Sequence, residues 1–139
     1  MEHRQLCDEY REIAEELIDT VPELRYIKES DVRIIYLQSD STKKHGKNFV
    51  NGECEKVPAK YQWAIEADFT ITLYSPNILT FTPEQIKILL IHELLHVGID
   101  KDTAGEEVYS INDHDIQDFK SIIDRYGADW HYNNHVKVN

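Results

Sequence analysis

The sequence predicts a small α+β domain, a short mixed or antiparallel sheet packed on helices, and three observations carry that expectation. Residues 68–74, DFTITLY, alternate apolar and polar side chains as a half-buried strand does. Residues 83–97 are apolar nearly all round and follow a helix-start signal. The 139 residues are enough for one domain, 1–139, that buries about two-thirds of the surface its unfolded chain exposes.

Taken in order, residues 4–19 space Leu6, Tyr10, Ile13 and Leu17 as the stripe of an amphipathic helix, and Pro22 ends this N-terminal arm (residues 1–24). VRIIYLQ (32–38) is apolar on both faces, as in a central strand. SDSTKKHGK (39–47) is a polar loop, and NFVNGECEKV (48–57) admits either one irregular strand or a hairpin turning at Asn51-Gly52. In DFTITLY, Phe69, Ile71 and Leu73 face a core, while Thr70, Thr72 and Tyr74 face solvent. Thr82, Pro83 and Gln85 form a capping box with proline in the first turn, and Gly98 is placed to close the helix they open. A further helix over about 113–126 carries Ile116, Phe119, Ile123 and Tyr126 as its stripe and stops at Gly127. The order α-β-β-β-α-α places the helices on one face of the sheet.

The net charge of −11 argues against a surface built for nucleic acid, which needs clustered Lys and Arg. The short cluster at Lys43, Lys44 and Lys47 reads as a solvated loop. Cys7 and Cys54 form no CxxC pair, the N-terminus carries no apolar core of a signal peptide, and no apolar run approaches the roughly 18 residues that span a bilayer. The expectation is a cytoplasmic protein with free thiols, no membrane partner and no nucleic-acid partner.

The stretch LLIHELLHVGID (89–100) sets His92, Glu93 and His96 into the apolar helix. At 100° per residue the two imidazoles sit about 40° apart and one turn apart, so both reach one point. Glu93 lies further round the same side, near a water held there and poorly placed to be a ligand. This is the HExxH arrangement, in which two neutral imidazoles bind Zn²⁺ and the glutamate takes a proton from the activated water that attacks a carbonyl. Unpartnered burial of these groups would cost several kcal/mol, so the helix needs compensation, either a metal or a His–Glu hydrogen-bond network.

A catalytic zinc needs a third protein ligand. The longer pattern HExxHxxGxxH fails, because Ile99 and Asp102 stand where its glycine and third histidine would fall. Glu106 and Glu107 follow His96 closely in a loop-like stretch. His114, 18 residues beyond His96 at the expected start of the next helix, is better placed to return beside the first pair. Asp118, one turn further on the same face, can orient a ligating imidazole. Asp115 is a second candidate for that role, or simply favours a helix N-terminus. His3, His45, His131 and His135 read as solvated surface. Tyr109 and Tyr126 are the nearest candidates in sequence for stabilising an oxyanion.

With HELLHVG (92–98) and HDIQDF (114–119) on the page, the chain resembles the phage metallopeptidase family of the zincin superfamily from about residue 31 to 130. That resemblance implies a zincin-like fold, one zinc per chain on His92, His96 and His114, Glu93 as catalytic base, and a peptide or protein substrate. If the chain is phage-encoded, the host cytoplasm is the compartment. It is similar, more distantly, to the Spartan/SprT-like proteases, but has His114-Asp115 where those carry His-Gly, and no zinc ribbon or basic DNA-binding region. A DNA-dependent role is therefore not carried over. The zincin resemblance also makes DFTITLY a candidate substrate-pairing strand, with Thr70, Thr72 and Tyr74 at the cleft; an ordinary sheet strand is the alternative. Two other readings stand beside the peptidase: a catalytically silent metal-binding protein, and a metal-dependent hydrolase of a non-peptide amide.

Overall fold

A computed structural model describes residues 1–114 and 118–138. The chain enters as a short strand, β1 (Arg4–Leu6), and then forms helix α1 (Asp8–Thr20). A 3-10 turn at Pro22–Leu24 leads into the short helix α2 (Arg25–Lys28) and strand β2 (Ile34–Ser39). The two-residue strands β3 (Lys44–His45) and β4 (Asn48–Phe49) form a small hairpin, followed by β5 (Gly52–Lys56) and β6 (Phe69–Tyr74). Helix α3 (Pro83–Leu95) runs directly into a second hairpin, β7 (Val97–Lys101) and β8 (Glu107–Ile111), before helix α4 (Lys120–Tyr126).

The main sheet is mixed, in the order β1-β2-β6-β5: β2 and β6 run parallel, and β1 and β5 are antiparallel to their neighbours. Phe69, Ile71 and Leu73 of β6 point into a core that includes Leu17, Leu24, Ile88, Leu90 and Leu94, so α1 and α3 cover one face of the sheet. Each such fully buried aliphatic side chain contributes roughly 1.5–3 kcal/mol. The small α+β domain is as the sequence predicts.

The opposite face of β6 departs from expectation. Thr72 and Tyr74 are both 0 % exposed rather than solvent-facing. Arg4 of β1 reaches across the sheet to donate to Thr72 Oγ1 at 3.2 Å and to Tyr74 Oη at 3.1 Å, and the Tyr74 hydroxyl donates to Glu53 at 3.0 Å. Lys43 pairs with the same Glu53. A polar face is thus buried because each of its groups finds a partner.

Four other expectations are corrected. The N-terminal helix does not begin at residue 4: residues 4–6 pair with Ser39, Gln38 and Leu37 along the open edge of β2, which leaves Leu6 exposed instead of on the helix stripe. The hairpin turns at Gly46, where φ is +63°, and not at Asn51-Gly52. Gly98 is a strand residue and no helix stop. α3 ends at Leu95, and a Cβ on Gly98 would stand 2.7 Å from the carbonyl oxygen of Ser110 across the hairpin. The hairpin β7–β8 was not legible as strands in sequence. The last helix is shorter than expected, with Phe119 and Ile122 buried and Gly127 closing it at φ +87°, while Ile116 lies outside the described residues. No helix among the described residues is long and apolar enough to cross a membrane.

α3 positions everything that follows, and its start is as predicted. Thr82 Oγ1 accepts from the Gln85 N–H at 3.2 Å, and the Gln85 side chain accepts from the Thr82 N–H at 2.8 Å. Gln85 is itself buried and donates to the Trp130 carbonyl at 3.2 Å, which ties the helix start to the C-terminal segment. At the other end the Tyr26 hydroxyl lies 3.2 Å from the Leu94 carbonyl and 2.6 Å from that of Val97. Thr82→Ala is expected to lower stability by about 1 kcal/mol, the usual worth of an N-cap side chain, measurable by urea unfolding.

Candidate metal centre

His92 and Glu93 occupy the last turn of α3, and His96 caps it. The His92 Nδ1 lies 2.6 Å from Asp118 Oδ1, and the His96 Nδ1 lies 2.6 Å from the Asn112 carbonyl oxygen. A carboxylate and a carbonyl only accept, so both imidazoles carry their proton on Nδ1 and turn a bare Nε2 lone pair the other way. His114 Nε2 meets His92 Nε2 at 2.9 Å. The ligand nitrogens of His92, His96 and His114 all lie within 4.8 Å of one another, a set that can hold a metal ion. Tetrahedral bonds of 2.0–2.1 Å would set such nitrogens about 3.3 Å apart, so the donor set fits with small side-chain adjustments. The Phe119 ring forms the floor, with centroids 5.0–5.4 Å from all three imidazoles.

Glu93 is 4 % exposed, and burial pushes its carboxyl up to about 7; His92 opposes the shift and the Glu53 carboxylate adds to it. Burial works against protonation of His92, but the Asp118 carboxylate outweighs it and holds the imidazole above its usual range. Burial lowers His96. Asp118 is held below the usual carboxylate range, because its hydrogen bonds from His92 and Trp130 overcome the cost of burying it. Glu93 reaches the sheet because of Gly52: a Cβ there would stand 3.3 Å from Glu93 Oε2 and 2.8 Å from Leu73 Cδ2. The absent side chain lets the backbone of β5 approach the carboxylate closely.

The expected residues divide. His92, Glu93, His96 and His114 border one hollow of about 230 Å³, together with Gly52, Glu53, Cys54 and Ile111. Asp118 hydrogen-bonds one ring, that of His92. Asp115 lies outside the described residues. His114 lies after β8 and ahead of α4, in neither a helix nor a strand. Tyr109 does not border the hollow: its hydroxyl donates to Glu107 at 2.6 Å and its ring packs on Phe69. Tyr126, on α4, does not border it either. Thr70, Thr72 and Tyr74 lie on β6, which pairs with β2 on one side and β5 on the other, so its backbone has no free edge for a substrate. The strand beside the histidines is β5, at the margin of the sheet among the described residues.

Three contributors escaped the sequence. Trp130 Nε1 donates to Asp118 Oδ2 at 2.7 Å and so holds the carboxylate that holds His92. The tail around it shows no periodicity, and the aromatic residue itself was the available signal. Asn112 serves through its backbone carbonyl, which leaves no signal in residue type; its side-chain amide also donates to the Leu95 and Val97 carbonyls at 3.2 Å each. Gly52 is visible in sequence only as a glycine.

Fold and site define a small α+β domain with a three-histidine cluster, fit to hold a metal ion, at the end of its buried helix. The chain belongs to the family described as "Putative phage metallopeptidase", which it matches over residues 3–137. Among curated proteins and among solved structures no match is found.

Asp118→Ala removes the acceptor that fixes the His92 tautomer. It is expected to weaken metal affinity about 10–100-fold in a competitive chelator titration, the usual effect of losing such a partner.

Proposed function

We propose that this protein is a zinc-dependent metallopeptidase. The observation that carries the reading is the meeting of three imidazoles and one buried carboxylate in a single hollow beside the end strand of a sheet. His92, His96 and His114 would hold one zinc ion, and three nitrogen ligands leave a position for water or substrate. When bound, zinc polarises a water molecule and the scissile carbonyl.

The chain's own groups supply the rest. Asp118 and the Asn112 carbonyl keep the His92 and His96 rings in the tautomer that presents Nε2. Glu93 takes a proton from the attacking water on its carboxylate and returns it to the departing amine nitrogen as the C–N bond breaks. An extended peptide adds to the outer edge of β5, where the cleft-lining Gly52, Glu53 and Cys54 lie opposite the histidines.

Metal analysis of purified protein tests the ligand set: wild type and Glu93→Gln are expected to hold about one zinc per chain, the usual content of a catalytic site, and His114→Ala far less. Full zinc retention by His114→Ala would remove His114 from the ligand set. Glu93→Gln is expected to slow peptide cleavage about 10²–10⁴-fold, the usual worth of a general base, read by mass spectrometry of a peptide mixture. Identical products from wild type and Glu93→Gln would favour the silent metal-binding protein.

A further inference from the structure

We propose that the cleft leading from the three histidines past His131 to the β3–β4 hairpin is a subsite for a large apolar, above all aromatic, side chain flanking the bond to be cut. The proposal rests on the peptidase reading and adds a specificity to it.

Two hollows meet here. One, of about 440 Å³, is bordered by His92, Glu93 and His114 at one end and by Phe49, Trp130 and His131 at the other. The next, of about 530 Å³, is bordered by Phe49, Phe81, His131 and Tyr132. Asn48, Phe49, Asn51 and His131 border both, so the two hollows adjoin, and the first reaches His92 and His114. A hollow of this size lies in the range of small-ligand sites.

Three aromatic side chains, Phe49, Phe81 and Tyr132, stand in the outer wall among the polar Asn48, Asn51, Asn77 and Thr80, and they are held in place. Phe49 is 56 % exposed and Tyr132 79 %, a cost in free energy that exposed aromatic surface repays when a partner covers it. The hairpin carrying Phe49 is pinned by Asn77, whose amide donates to the Lys43 carbonyl at 3.0 Å and to the Val50 carbonyl at 2.7 Å. Phe81 packs edge-on against Trp130, which Asp118 anchors, and the His131 ring lies 4.0 Å from that of Tyr132. The same Asp118 therefore sets both a histidine of the metal centre and the base of this wall.

The charge of the lining selects further. In a chain of net charge −11, the residues bordering the outer hollow include no carboxylate, and Lys47 is their one charged group apart from His131, should that ring be protonated. A basic side chain finds no counter-charge there, whereas an aromatic ring finds Phe49, Phe81 and Tyr132. A second hollow at the histidines, bordered by Glu53, Cys54 and His96, is smaller, about 230 Å³.

The test is a peptide library cleaved by the zinc-loaded wild type and by the double variant Phe49→Ala/Tyr132→Ala, with zinc content checked in both. Wild type is expected to favour Phe, Tyr or Leu on one side of the cut bond. In the double variant kcat/KM for those peptides should fall about tenfold, mainly through KM, while alanine-containing peptides change little, in line with what an apolar pocket discriminates. No apolar preference, a preference for Asp or Lys at that position, or a preference untouched by the double variant would overturn the proposal. If wild type cleaves nothing, the peptidase reading fails, and binding then decides the subsite. Fluorescence anisotropy with labelled Phe-containing and Ala-containing peptides should show the aromatic preference and its loss in the double variant; equal binding of the two peptides would overturn it.

Discussion

A half-buried imidazole has two ring nitrogens to satisfy, and at the end of α3 two such rings lie one turn apart. Their Nδ1 protons draw in distant parts of the chain: the Asn112 carbonyl at the end of β8, and Asp118 ahead of α4. Asp118 in turn is held by the indole of Trp130, whose carbonyl receives the Gln85 amide from the first turn of the same helix. The loop of contacts closes on α3 at both ends. Because it consumes the Nδ1 positions, it leaves the Nε2 positions pointing together, and the metal-binding geometry follows from the hydrogen bonding.

The sheet answers the same helix from the other side. Glu93 is buried against β5, and the position is tenable because Gly52 offers no side chain and the carboxyl is pushed toward neutrality. The face of the sheet turned away from the helices is closed by a polar network from Arg4 through Tyr74 to Glu53. That network fixes Glu53, which borders the hollow and bears electrostatically on Glu93. β1, three residues long, therefore bears on the site through the arginine it supplies.

Much was legible where the signal is local. The capping box of Thr82 and Gln85 needs only four consecutive residues, and the spacing of His92, Glu93 and His96 only one helical turn. His114 was singled out by a different route, the expectation that a metal on two histidines needs a third ligand, and the structure brings it beside them. The failures share a cause as well. Leu6 fits a helical stripe, yet the open edge of β2 claims its backbone for β1. Gly98 after an apolar helix looks like a stop, and its actual neighbour is Ser110 across a hairpin. Tyr74 looks like a solvent-facing strand residue until Arg4, seventy positions earlier, covers it. Tyr109 and Tyr126 were chosen by closeness in sequence, and closeness in sequence does not bring either to the histidines.

By itself, then, the sequence determined the helix, its cap, and the two histidines with the glutamate between them. These follow from backbone periodicity and from the cost of burying polar groups. Only the tertiary structure decided which groups hold the imidazoles, which strand stands at the margin of the sheet, and where the cleft runs. Those depend on carbonyls, edges and hollows made by residues far apart in the chain, and none of them is written in the type of any one residue.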